Sequence, residues 1–408
     1  MAAKTLSQHF ERSIAAPIEQ VYQAFTNSVY LREWLSDSAD VQPHLHGFIW
    51  LSWYDGNFVV GRYTKLQKDQ QVQMDWQHSF GLQSSQTVQV DLSWRGEKTE
   101  VRLEHSGPAD DETWQSKNSE NQRDWESSLD NLQSVLEEGI DLRLYARPMI
   151  GIMIDRLVTA ESAGKEGLAV NYGVELSGTV EGMGAEQLGM GDGTIITTLN
   201  RIEIKDFQDL SAAVKGKRPG ERIPVEYYQD QQRHANDLQL SARPRATMPP
   251  TPQSLAEKAK HVYEWINKKL EVLLEGVSAE AAAWKPDMDA WSAREVVAHL
   301  VAHEQYLAHW AAALENAKGR VGYAAGSHQL VAAIAAAYPD LAALRHGLGQ
   351  AQHQNVVFLN HLPVEFVERK GSYHRLAINF LEENKLHAQG HMDQIQAALE
   401  GAKESPSG

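Results

Sequence analysis

Near the C-terminus the chain reads Glu382-Glu-Asn-Lys-Leu-His-Ala-Gln-Gly-His-Met-Asp-Gln-Ile395. Its residue types favour a helix, and His387 and His391, four apart, then project from one face about one turn apart, within reach of a single divalent cation. A second helix-like run, Trp291 to Leu307 (WSAREVVAHLVAHEQYL), carries His299 on its apolar stripe, and His303 shares that face. Across a bundle, His299 is the candidate third ligand. Three neutral imidazoles that leave a coordination position open make a reactive metal centre rather than a closed structural one.

Composition narrows the chemistry. The 408 residues contain no cysteine, so disulfides, thiolate sites and a cysteine nucleophile are excluded, and any metal rests on histidine and carboxylate. Of the 17 histidines, 11 follow residue 250. A net charge of -16 speaks against a nucleic-acid partner, which requires concentrated Lys and Arg. No run approaches the ~18 apolar residues of a membrane span, and the first residues lack the apolar core of a signal peptide, so the expected location is cytoplasmic. At roughly 150 residues per domain the length suggests several domains.

Residues 1–145 read as α+β. Alternation marks strands at 7–14, 48–53, 58–66, 71–76, 86–94 and 99–104, and a long amphipathic helix at 112–138 carries Trp125, Leu129, Leu132 and Leu136. APIEQVYQAFTNSVYLREWLSD at one end and DWESSLDNLQSVLEEGID at the other resemble the SRPBCC (START-like) superfamily, in the branch named for activators of a heat-shock chaperone ATPase. That resemblance implies a helix-grip fold with an apolar cavity for a small ligand. Trp50, Trp53, Trp76 and Trp94, with His78, are candidates to line it, although alternation puts only some of them inward, and plain core is the favoured reading of the same aromatics. His44 and His46 sit between Pro43 and Gly47, a loop or edge rather than a metal site.

Residues 147–245 read as mostly β. Arg147-Pro-Met-Ile-Gly-Ile152, the stretch Gly182 to Asn200 and a helix at 206–214 follow an order that resembles a PDZ domain of the bacterial protease-associated kind. The resemblance implies a carboxylate-binding loop at Met149, Ile150, Gly151 and Ile152. It also implies a groove helix carrying Phe207, Leu210 and Val214, with a protein C-terminal tail added as a strand beside residues 152–154. A module that merely links its neighbours is the alternative. The glycines at 182, 184, 189, 191 and 193 complete neither GxGxxG nor a Walker loop.

Residues 246–252 close a proline-rich linker, with four prolines in Ala242 to Pro252. Residues 253–402 then turn to Ala, Leu, Glu and His, as in an all-α four-helix bundle with helices expected at 254–276, 291–318, 329–359 (with possible breaks at Tyr338-Pro339 and Gly347) and 376–399, before a tail at 403–408. WKPDMDAWSAREVVAHLVAHE and HAQGHMDQI resemble the DinB-like metal-binding bundles. Carried across, the ligands are His299, His387 and His391, with His303 and Glu304 as candidate supporting residues, Asp393 as a flanking carboxylate and zinc or nickel as the metal. Ser292 and Glu295 form a capping box before the second helix. The other histidines of this segment, among them His328 and His374, read as solvated. The family resemblance allows a homodimer.

Two functions remain open on these grounds. One is a metal-dependent transferase or hydrolase acting on water or a thiol cosubstrate. The other is a non-catalytic sensor or adaptor that holds a small molecule in the helix-grip cavity and a tail on the PDZ-like module.

Overall fold

The computed structural model describes residues 5–79, 86–245, 247–285, 290–318 and 321–404. The KPDMDA part of the motif before the second bundle helix falls largely outside them, as do residue 246 of the linker and most of the tail. The chain forms two compact units: residues 1–141 together with 247–408, and residues 142–246.

The first unit begins with β1 (Thr5–Ile14), α1 (Ile18–Thr26), α2 (Ser28–Trp34), β2 (Ser38–Val41), β3 (Phe48–Ser52), β4 (Phe58–Gln67), β5 (Gln71–His78), β6 (Gln86–Arg95), β7 (Lys98–Pro108) and α3 (Glu112–Glu138). The seven strands make one antiparallel sheet in the order β1-β7-β6-β5-β4-β3-β2. β6 shows why one face is buried: Val88, Val90 and Leu92 alternate inward and meet Val101 and Leu103 of β7 in the same core. α3 starts where Asp111 accepts from the Trp114 amide and stops where Gly139 turns left-handed at φ 77°. Trp125, Leu129, Leu132 and Val135 are the stripe it buries in that core.

Two of the cavity candidates named from the family resemblance do not face the core. Trp50 is 39% exposed, since Ile49 and Leu51 take the inward positions of β3. Trp94 keeps the inward parity of Leu92 but stands past the core at the end of β6, 49% exposed. Trp53 packs partly buried against the core and donates to the Leu35 carbonyl at 2.9 Å. Trp76 is buried among Trp125, His78 and His105, with the Trp125 ring 5.5 Å away. His105 accepts from Trp125 Nε1 at 2.9 Å, and burial lowers its pKa to about 3, so the ring is a neutral part of the packing.

The second unit holds α4 (Leu142–Tyr145), β8 (Ile152–Val158), α5 (Ala160–Glu166), β9 (Gly173–Thr179), α6 (Gly184–Gln187), β10 (Ile195–Leu199), β11 (Ile202–Glu203), α7 (Phe207–Val214), β12 (Arg222–Gln229) and β13 (Gln232–Gln239). These strands form a second sheet, β13-β12-β10-β9-β8, with β11 paired to β10. Leu210 is buried in its core and Val214 packs against it, so of the expected groove residues on α7 Phe207 alone stands open, 50% exposed. Met149 is tied by its backbone to Ser241, N to O at 2.8 Å in both directions. Ile150 and Ile152 pack against the core, and Gly151 (φ 84°) lies where a Cβ would strike the Met183 side chain.

Returning to the first unit, the chain adds α8 (Pro252–Leu273), α9 (Ala279–Ala283), α10 (Ala293–Glu315), α11 (His328–Ala337), α12 (Leu341–Asn360), α13 (Val364–Glu368), α14 (Lys370–Ile378) and α15 (Asn384–Glu404). The bundle's long helices are α8, α10, α12 and the α14–α15 pair. The expected third helix is two, because Pro339 cannot continue the ladder and Asp340 caps α12 by accepting from the Ala343 amide. The fourth starts earlier than expected and passes through a π-helical turn at Asn379–Glu383. No described helix is long and apolar enough to cross a membrane.

Within this unit the sheet domain and the bundle share a buried seam. Val29 and Tyr30 of α2 belong to the bundle's hydrophobic core. The Arg369 guanidinium lies 5.1 Å from the Tyr30 ring centroid, and Glu33 of α2 accepts from Ser372 Oγ at 2.6 Å. Gly371 permits this approach, since a Cβ there would stand 2.7 Å from Val135 Cγ1 and 2.8 Å from Glu33 Oε2. His374, expected in solvent, is 7% exposed on α14, with its pKa lowered by burial.

Candidate metal centre

Ser292 and Glu295 set the start of α10 through the expected capping box, each side chain bonding the other's backbone amide. From that start, residues 296–304 of α10 are buried without a break, so the helix runs through the middle of the bundle and presents both His299 and His303 inside it. On α15 the π turn inserts one residue into the helical count immediately before Asn384, which shifts the helix face and brings Asn384, His387 and His391 to the side of α10.

His299, His387 and His391 come together, one ring nitrogen from each lying within 4.8 Å of the others. His387 Nε2 is 3.2 Å from His299 Nε2 and 3.2 Å from His391 Nε2. The outer nitrogens set the tautomers. His299 Nδ1 faces the Ala325 carbonyl at 3.0 Å, which can only accept, so the proton is on Nδ1 and the Nε2 lone pair points inward. His391 Nδ1 is held in the same way by Gln394 Oε1 at 2.9 Å. His387 Nδ1 is buried with no partner among the described residues.

Burial lowers the pKa of all three histidines, that of His387 to about 2 with further lowering from His303, His391 and His299. Neutral imidazoles are the ligand form. The donor set fits a borderline divalent ion: bonds of about 2.0–2.1 Å to a tetrahedral centre put ligand nitrogens about 3.3 Å apart. One N–H on His387 can relieve only one of its two close nitrogen contacts well, so the convergence favours a cation.

His303 does not join the three. Its ring stacks on His387 with centroids 3.8 Å apart and planes 23° from parallel, and its pKa is lowered to about 4 chiefly by burial. Its Nδ1 lies 3.4 Å from the Tyr323 hydroxyl. Glu304 does not hold an imidazole either, because its position on α10 sends the carboxyl toward α8 and α12. Tyr263 and Asn355 donate to Oε2 at 2.7 and 2.8 Å, and Asn384 donates to Oε1 at 3.1 Å. Asp393 is exposed and accepts from Gln389, while Gln394, one residue on, does the orienting.

Sequence reasoning missed Asn384, Gln394 and the aromatic cover. Trp291 lies over the cluster, 4.8 Å from the His299 ring and 6.4 Å from that of His391, and its Nε1 points to His328 Nδ1 at 3.3 Å. Gln394 is three residues past His391 on the same helix, a spacing that could have marked it.

Two family models match the chain. Residues 15–137 match Activator of Hsp90 ATPase homolog 1-like protein, and residues 262–395 match the DinB superfamily. The chain carries an SRPBCC-type domain at its N-terminus and a DinB-type domain at its C-terminus. The middle segment is a second β-sheet, and no family model shows it to be a PDZ domain.

The zinc metalloprotease RasP of Shouchella clausii is 28% identical over 105 residues, which are 25% of this chain and 22% of that protein. The chain thus spans about a fifth of that relative's length. Among solved structures, the Aha1 dimer from Colwellia psychrerythraea is similar at 21% identity, over 33% of this chain and 98% of that one, with a TM-score of 0.28. An HSP90 activator from Plasmodium falciparum is similar at 20% identity, over 32% of this chain and 96% of that one, with a TM-score of 0.29.

Proposed function

We propose that the bundle binds a divalent transition metal, zinc or nickel, on His299, His387 and His391, and that the protein is a metal-dependent transferase or hydrolase. The observation that carries this reading is the inward convergence of three Nε2 atoms, two of them fixed by hydrogen bonds on the opposite ring nitrogen. A bound divalent ion supplies Lewis acidity, lowering the pKa of a water or thiol that takes its open position. With no cysteine in the chain, a thiol arrives as a cosubstrate. The protein's own residues orient and shield: Ala325 and Gln394 hold two imidazoles, the His303 ring braces the third, and Trp291 covers one side.

The test is the visible spectrum of the cobalt-substituted protein. Adding a small thiol, or azide, is expected to shift the cobalt bands as the exogenous ligand enters. A spectrum unchanged by both marks a closed centre and ends the catalytic reading.

A second reading, an adaptor, has its own observation. β8 is an end strand of the second sheet, and it exposes Met153 (47%) and Ile154 (40%). An apolar tail added there as a strand would cover both. A library of C-terminal peptides is expected to yield binders whose affinity falls about tenfold with Ile154→Glu; equal binding by the variant removes this reading.

A further inference from the structure

The seam between α2 and the bundle contains a pocket of about 180 Å³. Its charge sets it apart from the rest of the molecule. Among the described residues, three of the ten that line it are cations, Arg32, Lys318 and Arg375, and none is acidic, in a chain with 54 acidic and 38 basic residues. Glu33 is the buried carboxyl that faces Arg32, Arg369 and Arg375 from within the seam, and burial raises its pKa to about 7.

The remaining lining is apolar and aromatic, including Tyr306, Trp310 and Tyr323. Two of these rings connect the pocket to the histidine cluster. Tyr306 and Tyr323 meet edge to face with centroids 4.8 Å apart, and the Tyr323 hydroxyl is 3.4 Å from Nδ1 of His303, whose ring stacks on His387. The His303 side chain therefore stands between Tyr323 in the pocket wall and His387 of the candidate metal centre. A cavity of about 150 Å³ accepts a benzene ring, so the volume suits one ring or a short chain together with its charged group.

We propose that this pocket binds the anionic group of a small aromatic or short-chain substrate, a carboxylate or a phosphate, held by Arg32, Lys318 and Arg375 against the aromatic wall. Anion binding in the pocket does not rest on the metal-centre reading. Arg32 comes from the sheet domain and the other two cations from the bundle, so the site exists only where the two are joined. Planar guanidinium groups suit either oxyanion, and an aromatic body would face tyrosine and tryptophan rings.

The experiment is calorimetric titration of the full-length, metal-loaded protein with benzoate, phenyl phosphate and the neutral benzyl alcohol. At least one anion is expected to bind about tenfold or more tightly than the alcohol, and comparing the two anions tells carboxylate from phosphate. Lys318→Gln, whose parent side chain is exposed, and Arg32→Gln are each expected to weaken the anion about tenfold while leaving the alcohol unchanged. Equal binding of anion and alcohol, no anion binding, or anion binding indifferent to both variants overturns the proposal. His391→Ala separates it from the metal reading. Benzoate affinity that survives in this variant supports the pocket whatever the metal analysis finds, and affinity that disappears with the metal places the anion on the ion and overturns it.

Discussion

Replacing His387 with alanine is expected to reduce bound metal from about one equivalent per chain to a trace, and His391→Ala to do the same. The size of the effect follows from sharing a binding free energy of about 10–16 kcal/mol among about four ligands, so that one imidazole is worth roughly a hundred- to a thousandfold in affinity. Elemental analysis of protein purified without a histidine tag or chelator measures it. Two further variants grade the result. Gln394→Ala leaves all three ligands but frees the His391 ring, and His303→Ala removes the ring stacked 3.8 Å from that of His387. Each is expected to weaken binding about 10- to 100-fold without abolishing it. Occupancy is also expected to hold steady as pH falls from about 8 to about 6.5, the ordinary histidine value, because burial holds these imidazoles below it. Metal retained by both ligand variants, or absent from the parent after incubation with zinc and nickel, ends the metal reading.

The convergence of His299, His387 and His391 was legible because helices convert sequence spacing into geometry with little freedom: His387 and His391 are one turn apart wherever the helix packs, and His299 lies on a stripe that must be buried. What surrounds them was not. Asn384 reaches Glu304 only because a π turn precedes it, and no periodic reading of residues 376–399 reports an extra residue in a turn. Trp291 and the Ala325 carbonyl approach the cluster from outside the helical pattern. The sheet tells a similar story: period-two alternation separates Trp50 from Ile49 and Leu51, but it cannot say where a strand leaves the core, which is why Trp94 was misjudged. The seam at Glu33 was illegible altogether, since its partners Ser372 and Arg369 lie more than three hundred residues away.

Glu304→Ala is expected to destabilise the protein by about 3–5 kcal/mol at acid pH, since each buried polar group left without its partner costs about 1–3 kcal/mol. The carboxyl is 3% exposed and accepts from Tyr263, Asn355 and Asn384, so its removal leaves a phenol and two amides without their acceptor. Glu304→Gln isolates the charge. Burial raises the pKa of this carboxyl from 4.5 to about 7, against the opposing pull of Tyr263, Asn384 and Asn355. A folded pKa above the unfolded one means the folded state holds its proton longer. The associated stability is complete below about pH 4.5 and is lost as pH rises through about 7, amounting by pH 8 to about 3 kcal/mol. Glutamine does not titrate but turns its amide toward donors, so the variant is less stable than the parent at pH 5. The gap is then expected to close by about 2.5 kcal/mol between pH 5 and pH 8, since only the parent ionises. Urea unfolding of both proteins at the two pH values measures the difference directly, with the metal state matched in each pair. A gap that stays constant would show that Glu304 ionises in the folded protein as it does in the unfolded chain, and would remove the buried neutral carboxyl from the account of how α8, α10, α12 and α15 are held around the histidines.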